Sequence, residues 1–171
     1  MLTNSDLREL LNLFEKHKIR YLVVGAYAVM KYSEPRFTKD LDLWIATDRE
    51  NATSVYVALK EFGAPLANLT ADDFTHQDYF YQMGIPPLRI DIMMSIPGVE
   101  FEEAWKNREV VELDKLKIPF ISRSDLIRAK EASGRPQTGL ISIGSRKPSN
   151  WMRLTRNSAP LCFAPFLASD P

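Results

Sequence analysis

Cysteine and histidine are scarce in this chain of 171 residues, which contains one cysteine and two histidines. A single cysteine, Cys162, excludes an internal disulfide framework and any zinc site built from several cysteines. A surplus of charge is also lacking, because 22 Lys and Arg residues balance 22 Asp and Glu residues. Balanced charge argues against a dedicated electrostatic nucleic-acid binder, since neutralising many phosphates requires a surplus of basic residues.

Long apolar runs and targeting signals are missing as well. No apolar stretch approaches the roughly 20 residues that span a membrane. The first residues show no basic segment followed by the apolar stretch of a secretory signal. Neither a Walker A loop, a Rossmann Gly-x-Gly-x-x-Gly motif nor a Ser/His/Asp arrangement is recognisable. We therefore expect a soluble, cytoplasmic protein.

The composition changes sharply near residue 137. Residues 138–171 are rich in Pro and Ser and contain four basic residues and one acidic residue, a net charge of +3. The preceding 137 residues therefore carry −3. The hydrophobic residues of the last segment show no sustained period of two or 3.6. We predict a domain over 1–137 and an atypical basic extension over 138–171.

The hydrophobic spacing of the first part predicts strands that alternate with helices. An amphipathic helix is indicated near the start by apolar residues that share one helical face, Leu7, Leu10, Leu11 and Phe14. Further helices are expected at 26–31, 48–62, 100–107 and from Ser122 or Ser124 toward Gly134. Strands are expected at 21–24, 41–45, 79–83, 88–93, 110–111 and 118–121. Residues 64–77 are expected to form a loop. This order predicts an α/β (α+β) fold with a small mixed sheet flanked by helices.

Three aspartates stand out by their position in these strands. Asp40 and Asp42 are two residues apart at the start of a strand, so both side chains point to the same face. Asp91 interrupts an otherwise apolar strand. If the two strands are neighbours, three carboxylates converge and repel one another, unless a divalent cation such as Mg²⁺ or Mn²⁺ binds them.

Each of these residues also has an ordinary structural interpretation. An isolated Asp-x-Asp pair more often marks a solvated strand face or a turn. Asp91 could be exposed on an edge strand, and Gly25 could be the turn residue that lets a strand meet a helix. The combination favours a site: an apolar strand, Gly25, Asp40 and Asp42 entering a second strand, and then Asp91.

Three stretches together resemble the DNA polymerase β-like nucleotidyltransferase superfamily: Val23-Val24-Gly25-Ala26, residues 38–44 and Arg89-Ile90-Asp91-Ile92. Residues 36–42 resemble more closely the small branch related to AbiEii-type toxins. The resemblance covers about residues 5–137 and implies the nucleotidyltransferase fold.

The resemblance also implies roles for individual residues. The catalytic, metal-binding carboxylates would be Asp40, Asp42 and Asp91. The nucleotide-binding residues would be Gly25, Ala26, Arg36, Thr38, Lys39 and Lys130. Solvation or charge balance is the alternative role for Arg36, Lys39 and Lys130, and Thr38 could merely order the turn. Ala26 stands where the family usually has Gly or Ser.

The implied activity is a nucleotidyltransferase that uses Mg²⁺ or Mn²⁺. It would move a nucleoside monophosphate from an NTP to a hydroxyl of an RNA acceptor such as tRNA, or of a protein. A cognate antitoxin is an implied partner. One alternative is a non-catalytic member of the fold that binds nucleotide or a partner, and another is a degenerate product that retains only the fold.

The resemblance ends after residue 137, where relatives continue into an acidic amphipathic helix. Residues 138–145 show no such helix. A reading-frame change could have replaced the original ending, or the segment could be a natural variable extension.

Overall fold

The computed structural model describes residues 5–33, 40–85, 88–113 and 115–134. Within these ranges the α-helices are α1 (Ser5–Lys16), α2 (Gly25–Tyr32), α3 (Arg49–Glu61), α4 (Phe101–Lys106) and α5 (Arg123–Ala132). The strands are β1 (Tyr21–Val23), β2 (Asp40–Ile45), β3 (Phe80–Ile85), β4 (Leu88–Met93), β5 (Glu109–Leu113) and β6 (Leu116–Phe120). A 3₁₀ helix spans Ala71–Thr75.

The six described strands form one mixed sheet in the order β3-β4-β2-β1-β6-β5. The parallel pairs are β2 with β4 and β1 with β6, whereas β1–β2, β3–β4 and β5–β6 are antiparallel. Strands β1, β2, β4 and β6 are thus interior to the sheet. The predicted α/β architecture with a small mixed sheet is confirmed.

The helices cover the sheet through the apolar faces that the spacing predicted. The α1 face formed by Leu7, Leu10, Leu11 and Phe14 is buried, and α1 packs on α3 and β6. Helix α2 packs on β2 and on α5. The core lies between these layers, and Trp44 of β2 is 2% exposed within it.

Two helices begin where the sequence predicts, each at a polar capping residue. Asp48 accepts a hydrogen bond from the Asn51 amide at 3.0 Å and caps α3. Ser122 accepts one from the Asp125 amide at 3.1 Å and caps α5. Both side chains satisfy amides that have no partner within the helix.

The loop expected over 64–77 contains the 3₁₀ helix, which is a difference from the prediction. A capping box between Thr70 and Asp73 begins this helix. Phe74 anchors it, because this ring is 1% exposed and packs edge-on against Tyr56 and Tyr81. One anchoring residue produces no periodic pattern, so spacing alone could not reveal this helix.

No helix in the described part of the chain is long and apolar enough to cross a membrane.

Candidate functional site

The sheet brings the three predicted aspartates to one face. Strands β2 and β4 are parallel neighbours, with Asp42 opposite Asp91 and Asp40 opposite Arg89. Because side chains alternate across a strand, the three carboxylates and Arg89 share a face. Strand β3 pairs with the other side of β4, so the alternative interpretation of Asp91 as an edge-strand residue is wrong.

Asp42 lies directly beside the start of α2. Its backbone carbonyl accepts a hydrogen bond from the Val24 amide at 3.0 Å. Its carboxylate accepts a hydrogen bond from the Ala26 backbone amide. The chain therefore holds Asp42 through the main chain of the strand-to-helix connection rather than through another side chain.

Gly25 opens α2 in the left-handed region, with φ +60°. A Cβ at this position would lie 2.6 Å from Cγ and 2.9 Å from Cβ of Asp42, and closer still to Oδ2. Only glycine combines this backbone conformation with room for the carboxylate. The structure thus supplies a reason for Gly25 within the protein itself, beside the nucleotide-binding role that the resemblance implies.

The environment of Asp42 favours its neutral form. Burial, and after it the negative charge of Asp91, raise the pKa of this carboxyl from 3.8 to about 7. The Ala26 amide opposes the rise, Asp40 adds a smaller increase, and Arg89 lowers the pKa slightly. Desolvation and like charge act together here, as they do where carboxylates share a confined site.

Arg89 pairs with the other two carboxylates of the cluster. Its Nη2 donates to Oδ2 of Asp40 at 2.6 Å, and its Nε lies 3.4 Å from Oδ1 of Asp91. Gln82 of β3 donates to the same Asp91 oxygen at 2.7 Å. Asp40 and Asp91 are thus held by neutralising or donating groups, whereas Asp42 has backbone partners only among the contacts above.

Of the other predicted nucleotide-binding residues, the structure describes only Ala26 and Lys130. Lys130 is exposed on α5, the helix that packs on α2. Arg36, Thr38 and Lys39 lie outside the described residues, as does the predicted extension 138–171. The Ala26 amide donates to Asp42 here, so it is already engaged.

The donor chemistry of the cluster fits Mg²⁺ or Mn²⁺, since three carboxylates on one sheet face offer the oxygen ligands that these ions prefer. The raised pKa of Asp42 comes first from burial and second from the charge of Asp91, and a bound cation would offset both effects. Among the described residues, however, no three His, Cys, Asp or Glu side chains are arranged together as ligands of one ion. Arg89 and Gln82 hold Asp40 and Asp91 instead.

Sequence reasoning missed the roles of Arg89 and Gln82. Arg89 stands two residues before Asp91, so the strand period alone places both on one face. That signal was present in the sequence. Gln82 reaches Asp91 through the β3–β4 register, which pairs these two residues. The residues of a hairpin do not reveal that register by themselves.

A separate cleft of about 370 Å³ lies at the opposite end of β2, lined by residues that include Trp44, Asp48, Phe101 and Glu102. Arg20 binds Asp48 and Glu102, at 2.8 Å in each case. This cleft contains none of the predicted site residues, so it is distinct from the carboxylate cluster.

Comparison with solved structures identifies a likeness to a candidate nucleotidyltransferase from Thermotoga maritima. The TM-score is 0.53 at 18% sequence identity, and the match covers 75% of this chain and 83% of that one. No family model and no curated protein matches the chain. The likeness shows a shared fold, so the chain has the nucleotidyltransferase fold expected from its motifs.

Proposed function

We propose that the protein is a metal-dependent nucleotidyltransferase that moves a nucleoside monophosphate from an NTP to a hydroxyl of an RNA or protein acceptor. One observation carries this proposal: Asp42 and Asp91 are directly opposed on adjacent parallel strands, with Gly25 and the start of α2 beside them. The shared fold supports it, because the chain is similar in overall fold to a candidate nucleotidyltransferase.

Asp40, Asp42 and Asp91 would hold the Mg²⁺ or Mn²⁺. The bound ion would neutralise charge on the triphosphate and favour ionisation of the acceptor hydroxyl. Gly25 keeps side-chain atoms away from the carboxylate of Asp42. The start of α2 contributes amides and the positive end of a helix, which favour phosphate.

In the proposed reaction the acceptor hydroxyl oxygen attacks the α-phosphorus of the NTP and forms a new phosphoester bond. The bond from the α-phosphorus to the bridging oxygen breaks, and pyrophosphate leaves with its electron pair. We assign Asp91 to accept the hydroxyl proton, which then passes to water. The products are nucleotidylated acceptor, pyrophosphate and one proton.

A pair of isotope labels tests this reaction. The protein is incubated with total tRNA, or alone to detect self-modification, and with each NTP labelled at the α- or γ-phosphate in Mg²⁺ or Mn²⁺. Nucleotidyl transfer predicts labelled acceptor from the α-label and none from the γ-label. Labelling from the γ-phosphate, or no labelling from any NTP, would contradict the proposal.

The acceptor and the biological setting also belong to the proposal. The described part carries three carboxylates on one face, but a bound cation would offset them, so a tRNA acceptor remains compatible with the acidic body. The AbiEii-like motif at 36–42 favours a toxin with a cognate antitoxin. Mass spectrometry of tRNA and proteins after incubation would identify acceptor and nucleotide together.

A second candidate is a non-catalytic member of the fold that binds nucleotide or a partner. The observation that favours it is the engagement of Asp40 and Asp91 by Arg89 and Gln82, which holds two of the three carboxylates. Calorimetry with NTP and Mg²⁺ separates the candidates when combined with the label assay. Saturable binding without transfer of α-label supports the binding protein.

A further inference from the structure

Arg89 is the positive charge nearest to the carboxylate cluster among the contacts described above. It comes from β4 itself, two residues before Asp91, and its side chain is 29% exposed. It approaches Asp40 at 2.6 Å and Asp91 at 3.4 Å, on the face where those side chains meet. A guanidinium in this place neutralises part of the repulsion within the cluster.

The pairing of Arg89 is incomplete. Its Nε is buried, yet within the described residues it has no hydrogen-bond partner of acceptable geometry, in spite of the nearby Asp91 oxygen. A buried donor without a partner is costly, and a fixed guanidinium normally satisfies its fork of donors. Among the contacts described, the guanidinium is therefore held by one hydrogen bond to Asp40 and by charge attraction to Asp91.

We infer that Arg89 is a built-in counter-cation that competes with the divalent metal for Asp40 and Asp91. This inference rests on the proposed function, because it concerns the metal of the same site. In the metal-free protein Arg89 attracts both carboxylates and so offsets part of the repulsion between them. Binding of the metal requires these carboxylates to leave Arg89, so the arginine sets the metal concentration at which the site fills.

Metal affinity of an Arg89→Met variant tests the inference. Removing the competing charge should tighten binding of Mg²⁺, measured by calorimetry at pH 8, by about tenfold. Mn²⁺ binding followed by electron paramagnetic resonance should change in the same direction. Arg89→Lys retains the positive charge and should bind close to the wild type.

Arg20→Met is the matched control. Arg20 also bridges two carboxylates, each at 2.8 Å, and is 34% exposed. Its backbone carbonyl accepts a hydrogen bond from the amide of Ala46. Ala46 directly follows β2 and lies about 20 Å from Asp40 along the strand. At that distance the charge of Arg20 is largely screened from the cluster, so metal affinity should not change.

A structural role alone would lower the stability of Arg89→Met in EDTA without tightening metal binding. Unchanged or weaker metal binding by a folded Arg89→Met would overturn the inference, even if the wild type transfers nucleotide. Tighter binding by Arg89→Met without any transfer by the wild type would support the inference and contradict the proposed function. No metal binding by either protein would overturn both.

A measurement on the wild type covers the case in which Arg89→Met does not fold. The Nε–H signal of Arg89 in nitrogen-15 NMR, assigned with Arg89→Lys, should shift on addition of Mg²⁺ as the ion pairs break. The Arg20 signal should stay in place. A static Arg89 signal in a protein that binds Mg²⁺ would overturn the inference.

Discussion

Gly25 leaves free the space that the carboxylate of Asp42 occupies. A Cβ on residue 25 would lie 2.6 Å from Cγ and 2.9 Å from Cβ of Asp42. The glycine also adopts φ +60°, which other residues rarely accept. The strand-to-helix connection and the central carboxylate are thus built to fit one another, so a change at either residue should be felt at the other.

Gly25→Ala should destabilise the protein by about 2–4 kcal/mol, since strain at a positive φ and a steric clash add together. Part of this cost should vanish in an Asp42→Ala background, because the clashing Oδ2 and Cγ are then absent. Urea unfolding of the two single variants and the double variant measures the coupling between the two residues.

Gly63→Ala is the control for backbone strain. Gly63 has φ +82°, but a Cβ there would meet nothing within 4 Å. It should cost about 1 kcal/mol from strain alone and show no coupling to Asp42. Additive effects for Gly25 and Asp42 would contradict the fit described above.

The raised pKa of Asp42 predicts that the metal-free protein loses stability as pH rises from about 4 to 7. The pKa is about 7 in the folded protein, against an ordinary value of 3.8. The Asp42 carboxyl therefore ionises at a lower pH in the unfolded chain than in the folded protein. The contribution of this difference to the free energy of unfolding is complete below about pH 4 and is lost above about pH 7.

Asp42→Asn should remove this pH dependence and stabilise the protein at pH 8 in EDTA by up to about 4 kcal/mol. Urea unfolding at pH 4.5, 6 and 8 gives the difference from the wild type. Asp78→Asn, at an exposed aspartate that follows the 3₁₀ helix, is the control and should show no such difference. If the wild type instead became more stable relative to Asp42→Asn as the pH rises from 4.5 to 8, the pKa of Asp42 would not be raised in the folded protein.

Asn51 should be the most sensitive polar residue away from the cluster. It is 5% exposed, accepts from the Arg20 amide at 2.7 Å, and donates to the carbonyls of Arg20 and Ala46 at 3.1 and 2.8 Å. Asn51→Ala removes this partner from the Arg20 amide and the Ala46 carbonyl, whereas the Arg20 carbonyl keeps its hydrogen bond from the Ala46 amide. The substitution should cost about 2–3 kcal/mol in urea unfolding.

Thr53→Ala provides the comparison on the same helix. Its hydroxyl bonds only to the Arg49 carbonyl of its own helix among the hydrogen bonds given for it, and it is exposed. It should change stability by less than about 0.5 kcal/mol. Equal losses of stability at both positions would contradict the role of Asn51 in joining α3 to the backbone that precedes β1 and follows β2.

Lys130→Ala tests the reach of α5 toward the nucleotide. If Lys130 contacts the triphosphate, the KM for NTP should rise about fivefold, the value of one charge-assisted contact of roughly 1 kcal/mol. Lys130→Arg should restore most of the affinity. Lys117→Ala, at an exposed lysine of β6, is the control. An unchanged KM in Lys130→Ala would assign Lys130 to the solvated surface.

The helices and strands were predictable because their patterns are local. Asp48 and Ser122 mark helix starts, and the α1 face follows from four apolar residues at helical spacing. The three carboxylates stood out by their positions in predicted strands, where the two-residue period places Asp40 and Asp42 on one face, and the resemblance of the motifs then implied their roles.

The rest depended on contacts between residues distant in sequence. The sheet order places β6 beside β1 and β4 beside β2, and no local pattern specifies such pairings. The Arg89–Asp40 pair could be predicted only with the β2–β4 register known. The fit between Gly25 and Asp42 could be predicted only with the position of α2 against β2 known. The 3₁₀ helix was not predictable from spacing, because Phe74 is its single buried residue and one residue makes no periodic pattern.

The most direct test of the proposed active site is transfer of α-labelled nucleotide by Asp42→Asn, compared with the wild type and with Asp72→Asn at an exposed aspartate of the 3₁₀ helix. Asp42→Asn should lower transfer at least about a thousandfold, because the central carboxylate is lost while the fold is retained. Asp72→Asn should match the wild type. Full transfer by a folded Asp42→Asn would contradict the assignment of this cluster as the active site.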